Sequence, residues 1–167
     1  MFSAGDTVIH LSAGICRIQE IREEKFVEKK QPYYVIRPLS DASSTIYVPV
    51  SAGEEKLRRP LSETEILKLL DRAAAEDVPW IENNTLRKTT FTELLHSGDP
   101  CKQIALVARL RRQKEYLLGI GRKFPMGDER ILKEAEKHIH AEFSFSLSLE
   151  ESEVPAYILS HWHPASV

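Results

Sequence analysis

Lys102, Arg109, Arg112 and Tyr116 carry the clearest chemical signal in the chain. Steps of seven, three and four residues return a helix to nearly the same azimuth, so on a helix these side chains form one broad stripe. Between Pro100 and Phe124 the ionised residues are Lys102, Arg109, Arg111, Arg112, Lys114, Arg122 and Lys123, against Glu115 alone. Cations aligned opposite an apolar face suit contact with phosphates, because each neutralised phosphate releases condensed counterions. A solvated lysine and arginine face is the other reading of such a run. The whole-chain net charge of −2 hides this basic segment, since the acidic excess sits near both ends of the chain.

Residues that could do covalent or metal chemistry form no comparable pattern. Cys16 and Cys101 fall in a strand-like run and in the first turn of a helix-like one, without metal-type spacing, and are expected as reduced thiols. No histidine is placed by sequence logic to activate either thiol. His161-Trp162-His163 has no third ligand near it, and His138 and His140 occupy different helical faces. Gly119-Ile120-Gly121 follows a helix and not a strand, the wrong context for a nucleotide fingerprint. The chain is therefore expected not to be an enzyme, and to use no metal, no cofactor and no small-molecule substrate. No apolar run approaches a membrane span and no charged-then-apolar leader opens the chain, so a cytoplasmic protein with no membrane partner is expected.

The elements that must position these residues change character near residue 50. Gly5-Asp6 is turn chemistry ahead of Thr7-Val8-Ile9, and Ser12-Ala13-Gly14 separates that run from 15–21. Tyr33–Leu39 and Thr45–Val50 are β-branched and aromatic, with the polar Ser40–Ser44 between them. Four or five strands within about fifty residues can close only as a compact, strongly bent barrel. Beyond Val50 the apolar period becomes helical. Ser62-Glu63-Thr64-Glu65 fits a capping box before Ile66, Leu67, Leu69 and Leu70. After Pro79 a second helix runs from about Asn84 to His96, with Leu86, Thr90, Phe91, Leu94 and Leu95 on its buried side and Gly98 as its stop. Asp99-Pro100 caps a third, carrying Ile104, Leu106, Val107, Leu110 and Leu117 and ending at Gly119 and Gly121. Asp128 opens a fourth, with Ile131, Leu132, Ala135, Ile139, Phe143 and Leu147 at helical spacing. Residues 150–167 hold Pro155 and Pro164 without such a period and read as a tail, either loosely packed or a short extra helix. The expected fold is α+β, with a barrel over 1–60, a helical bundle of four or five helices over 61–149 and the tail beyond.

The run Phe2–His10, Tyr33–Ile36 and Ile46–Val50 resembles the polymerase-interacting, Tudor-like module of the CarD family of bacterial transcription regulators, shared with transcription-repair coupling factors. Glu82-Asn83, Leu94–Asp99 and Asp128–Glu136 resemble the helical half of the same family, and a helical bundle in place of a motor sets the coupling factors aside. The resemblance implies docking on the RNA polymerase β subunit through Thr45-Ile46-Tyr47-Val48-Pro49 by strand addition, with Tyr47 where relatives often place arginine. Alternatively, Tyr47 caps its own barrel. It also implies contact with promoter DNA, through Arg87 and Lys88 and through the stripe of Lys102, Arg109 and Arg112. The family inserts a tryptophan at the edge of the melted DNA. The matching position here is Asn83, and Trp80 lies three residues upstream. Trp80 is expected to take a wedge-like place, because Pro79 and Glu82-Asn83-Asn84 offer few apolar neighbours in sequence; packing of the linker is the alternative. The function implied is regulation of open-complex stability. Two rivals remain: a protein-interaction adaptor that never touches DNA, and a small enzyme using Cys16 or Cys101.

Overall fold

The computed structural model describes residues 1–163, so Pro164 of the expected tail lies outside the described residues. The chain divides into two compact units, Met1–Pro60 and a second beginning at Leu61.

The first unit is an antiparallel sheet of five strands in the order β4-β3-β2-β1-β5. The strands are β1 (Thr7–His10), β2 (Gly14–Glu24), β3 (Gln31–Pro38), β4 (Ile46–Pro49) and β5 (Leu57–Arg58). A 3-10 turn over Val50–Ala52 and a short helix, α1 (Gly53–Lys56), lead from β4 to β5. Alternation assigns Cys16, Ile18, Tyr34, Ile36 and Val48 to the core, joined by Phe2, Val8 and Leu57. A register shift between Ile18 and Glu20 bends β2. It changes the phase of the strand, so that Ile21 and not Glu20 lies opposite the buried Tyr34. The Phe2 backbone N–H donates to the Tyr34 hydroxyl at 3.1 Å, which straps the N-terminus across this core.

The second unit is helical: α2 (Glu63–Ala75), α3 (Asn84–Leu95), α4 (Pro100–Gly119), α5 (Met126–Leu147) and α6 (Val154–Ser160). The start signals act as the sequence suggests. Ser62 and Glu65 form a reciprocal capping box, Asn83 accepts from the Leu86 N–H, and Asp99 accepts from the Cys101 and Lys102 N–H groups. The long α4 packs against α2, α3 and α5. Its apolar residues serve two clusters, one built with Ile66, Leu70, Ile139 and Phe143 and the other with Phe91, Leu95, Ile131 and Leu132. The tail takes the helical alternative, since α6 places fully buried Val154 in the first cluster with Tyr157, Ile158 and Trp162 against it.

Two expectations need correction. Leu86 is 56% exposed and not on the buried side of α3; it lies five residues before Phe91, about 140° round the helix, and the buried face one turn before Phe91 is taken by Arg87. Asp128 does not open α5, which begins at Met126 behind Pro125. Its carboxylate is instead buried at 4% exposure beside Arg87, so a local capping reading gives way to a partner 41 positions away.

Gly53 shows how tightly the barrel closes. Its φ of −59° suits any residue, yet a Cβ there would lie 2.7 Å from Cε2 of the buried Tyr34 ring. Gly53→Ala is expected to destabilise the barrel by about 1–3 kcal/mol through overpacking, seen as a lowered melting temperature. An unchanged melting temperature would mean that Tyr34 has room to move.

Candidate docking edge and nucleic-acid interface

β4 is a terminal strand of the sheet and pairs only with β3, through Tyr33↔Pro49, Tyr34↔Val48, Val35↔Tyr47 and Ile36↔Ile46. Its other edge has no strand beside it among the described residues. Val48 is core, Ile46 and Pro49 are half-buried and Thr45 is exposed just ahead of the strand. Tyr47 lies on the outer face within an aromatic cluster. Phe26 meets the Tyr33 and Tyr47 rings edge-on at 5.1 and 4.9 Å, and Tyr33 meets Tyr47 at 6.5 Å. Arg22 Nη2 donates to the Tyr47 hydroxyl at 2.8 Å, with its guanidinium 5.7 Å from the ring centre. Tyr47 is thus braced by its own sheet while lying along the open edge. Phe26 and Arg22 escaped the sequence reading, which placed Tyr33 in a strand but gave it no part in the docking edge. The signal for Phe26 was an apolar pair, Phe26-Val27, set exposed in an otherwise charged hairpin turn.

In the helical unit the basic residues separate into two groups. Arg111 pairs with Glu136, and Lys114 with Glu129 at 3.0 Å, so both are tied to α5. Lys102 and Arg112 are exposed and form no ion pair among the described residues. Arg109 is half-buried between them in the stripe. Its Nη2 donates to Gln113 Oε1 at 3.3 Å, while its buried Nε has no hydrogen-bond partner among the described residues. Burial first, and the neighbouring Arg112 cation second, lower the Arg109 pKa from its ordinary value, against the opposing pull of Asp77. The stripe therefore contains a half-buried cation that faces the Trp80 indole and has Asp77 as a nearby acid. Lys88 is exposed on α3.

Arg87 belongs to neither group, and its expected place against DNA is corrected. It is 4% exposed. Nε donates to both Asp128 oxygens at 3.0 and 3.2 Å, Nη2 donates to Oδ2 at 2.9 Å and to Asn84 Oδ1 at 2.7 Å, and Nη1 donates to the Ile81 carbonyl at 2.7 Å. Such a bidentate buried guanidinium has its donors occupied within the protein. Trp80 lies against it, with the Arg87 guanidinium 4.3 Å from the indole, that of Arg109 6.0 Å away, and Phe91 edge-on at 6.0 Å. The packing alternative describes this half-buried indole. Its apolar cluster joins Val78 and Ile81, beside it in sequence, to residues of α3, α4 and α5.

Both thiols are buried. Burial pushes Cys16 up to about 11 and raises Cys101 as well, which disfavours the thiolate that nucleophilic chemistry needs.

The Arg87 arrangement makes a sharp expectation. Arg87→Ala strands the Asp128 carboxylate in the interior and should cost about 3–5 kcal/mol of stability, whereas Lys88→Ala on the same helix should lie within about 0.5 kcal/mol of wild type. Trp80→Ala should cost roughly 2–3 kcal/mol as a partly buried aromatic. Denaturant midpoints measure all three, and equal midpoints for Arg87→Ala and wild type would remove the structural role.

Residues 2–61, the span of the first unit, match the CarD-like/TRCF RID domain family, RID denoting the RNA polymerase-interacting module. Across nearly the whole chain there is similarity to a protein of Bacillus subtilis (strain 168) named as a candidate transcription factor, YdeB. The two are 23% identical over 162 residues, which is 94% of this chain and 99% of the relative. The similarity of this chain to CarD-like proteins is thus carried by residues 2–61, which match the CarD-like/TRCF RID domain.

Proposed function

We propose that the chain is a transcription regulator that docks on the RNA polymerase β subunit through β4 and contacts promoter DNA through the exposed cations of α4. The observation that carries the docking is the open edge of β4, within the family-matched domain, flanked by the aromatic cluster of Phe26, Tyr33 and Tyr47. Strand addition takes affinity from backbone pairing and selectivity from side chains beside the edge. DNA contact is supported by Lys102 and Arg112, exposed without ion pairs among the described residues, with the half-buried Arg109 between them in the same stripe. An adaptor holding polymerase with one unit and upstream DNA with the other shifts the closed–open equilibrium by the difference in its affinity for the two states.

The adaptor without DNA contact keeps one specific support: Arg87 is buried in the bundle with the half-buried Trp80 indole against it, and Arg111 and Lys114 are paired to α5. One set of variants separates the readings. Ile46→Glu in the full-length chain should weaken retention of RNA polymerase while leaving the bundle folded. Arg109→Glu with Arg112→Glu should leave retention intact, weaken binding to different promoter sequences about equally and reduce the slope of log affinity against log salt by roughly two. Wild-type retention by Ile46→Glu removes β4 as the docking edge. An unaltered salt series for the double variant transfers the bundle to the adaptor reading.

A further inference from the structure

A cleft of about 480 Å³ opens in the helical unit between α2, α4, α5 and α6. Small-molecule sites occupy roughly 300–1,000 Å³. The volume comes from small residues, because Ala73 and Ala74 of α2 and Ala105 and Ala108 of α4 line it where larger side chains would interdigitate. Ile104 and Ile139 continue the apolar lining, and α6 forms one wall with Ile158, Leu159 and Trp162. Side chains bordering unfilled space lose dispersion contacts that a fitted occupant restores.

The polar groups of the lining are few and mostly acidic. Glu136 reaches in from α5, with Arg111 Nε beside its Oε1. The Glu136 side chain is 16% exposed against 55% for Arg111, and the buried Oε1 accepts no well-formed hydrogen bond among the described residues. The pair is thus an ion contact that leaves acceptor capacity inside the cleft. Glu115, one turn after Arg111 on α4, and Glu76, the C-cap of α2, add two exposed carboxylates. The carbonyls at that end of α2 carry partial negative charge as well. His140 adds no positive charge near neutral pH, since burial, helped by the Arg111 cation, lowers its pKa against the pull of Glu136 and Glu151. The remaining cation, Arg112, is exposed. Three carboxylates against two guanidiniums leave the lining acidic, with one guanidinium already committed to Glu136.

We propose that this cleft binds a small organic amine with an apolar ring body: the rings lie between the alanines of α2 and α4 and the wall of α6, and the ammonium donates to Glu136 Oε1, sharing that carboxylate with Arg111. A hydrogen bond between two ionised groups is stronger than one from a neutral donor, and the Trp162 ring is a surface on which both an apolar body and a cation pack favourably. A ligand with a carboxylate head would instead meet Glu76, Glu115 and Glu136. The site requires neither RNA polymerase nor DNA, so it stands whether or not the readings above do.

The test uses the full-length protein and three probes with one ring system: naphthylethylamine, the neutral naphthylethanol and the anionic naphthylpropanoate. Titrations followed by amide NMR shifts should show single-site binding of the amine, with the largest shifts at Ala74, Ala108, Ile158 and Trp162. The alcohol should bind about tenfold more weakly, the difference made by one charge-assisted hydrogen bond, and the carboxylate more weakly still. Glu136→Gln keeps the shape of the cleft and should bring the amine and the alcohol to within about twofold of each other. Ala108→Leu fills the cleft and should abolish binding of all three probes. Ala74→Leu fills it from the opposite helix and gives the same readout if melting shows that Ala108→Leu does not fold. Amine binding that survives a folded filling variant overturns the site, as does a preference for the carboxylate or an amine preference that persists in Glu136→Gln. Wild type without a saturable shift for the amine also overturns it. If in that case the folded filling variants lose RNA polymerase, the cleft takes a segment of protein and not an amine.

Discussion

The helical unit is organised around the pair of Arg87 and Asp128. Two charges taken out of water are tolerated there because the guanidinium also satisfies the Ile81 carbonyl and Asn84, and the carboxylate accepts from two of its nitrogens. The pair fixes the segment entering α3 and the first turn of α5, and the Trp80 indole lies on the guanidinium face. From that point the direction of α5 and the presentation of the α4–α5 connection follow. A neutral substitute of similar size would fill the volume but leave the carbonyls and the indole without a fixed partner.

Most of the architecture was legible because its causes are local. The period change at residue 50, the capping box at Ser62, the Asn83 and Asp99 caps and the Gly121 stop all depend on residues within one turn of each other. The errors share one physical origin, which is partnership across long sequence separation. Asp128 has the residue type of a helix cap but stands inside the first turn of α5, and its chemistry is set by an arginine on another helix. Arg87 likewise looked like half of a surface patch with Lys88, and only packing distinguishes the two neighbours. Trp80 is followed at short range by the polar Glu82-Asn83-Asn84 in sequence, yet has aromatic and cationic side chains around it in space. The aromatic cluster beside β4 was illegible for the same reason, since Phe26, Tyr33 and Tyr47 come from a hairpin turn and two strands.

Electrostatics in this chain is a matter of placement more than of totals. A near-neutral sum coexists with a helix on which some cations are tied to acids on α5 and others are not. Ion pairs at the surface contribute little to stability, so the distribution reads more naturally as a sorting of charges between those that join helices and those that remain available to a partner. Arg109 sits at the boundary, partly desolvated and beside a like charge.

An open strand edge carries no address of its own, because backbone amides and carbonyls are the same in every protein. β4 is only four residues long and ends at Pro49, which cannot donate to a ladder. Its brevity limits how many bonds a second copy of the chain could form by pairing edge to edge, and it equally caps the affinity that backbone pairing alone can supply to any partner. In the proposed docking, discrimination among partners would fall to the rings of Phe26, Tyr33 and Tyr47, and a chain that kept β4 while losing those rings would be promiscuous before it was inactive.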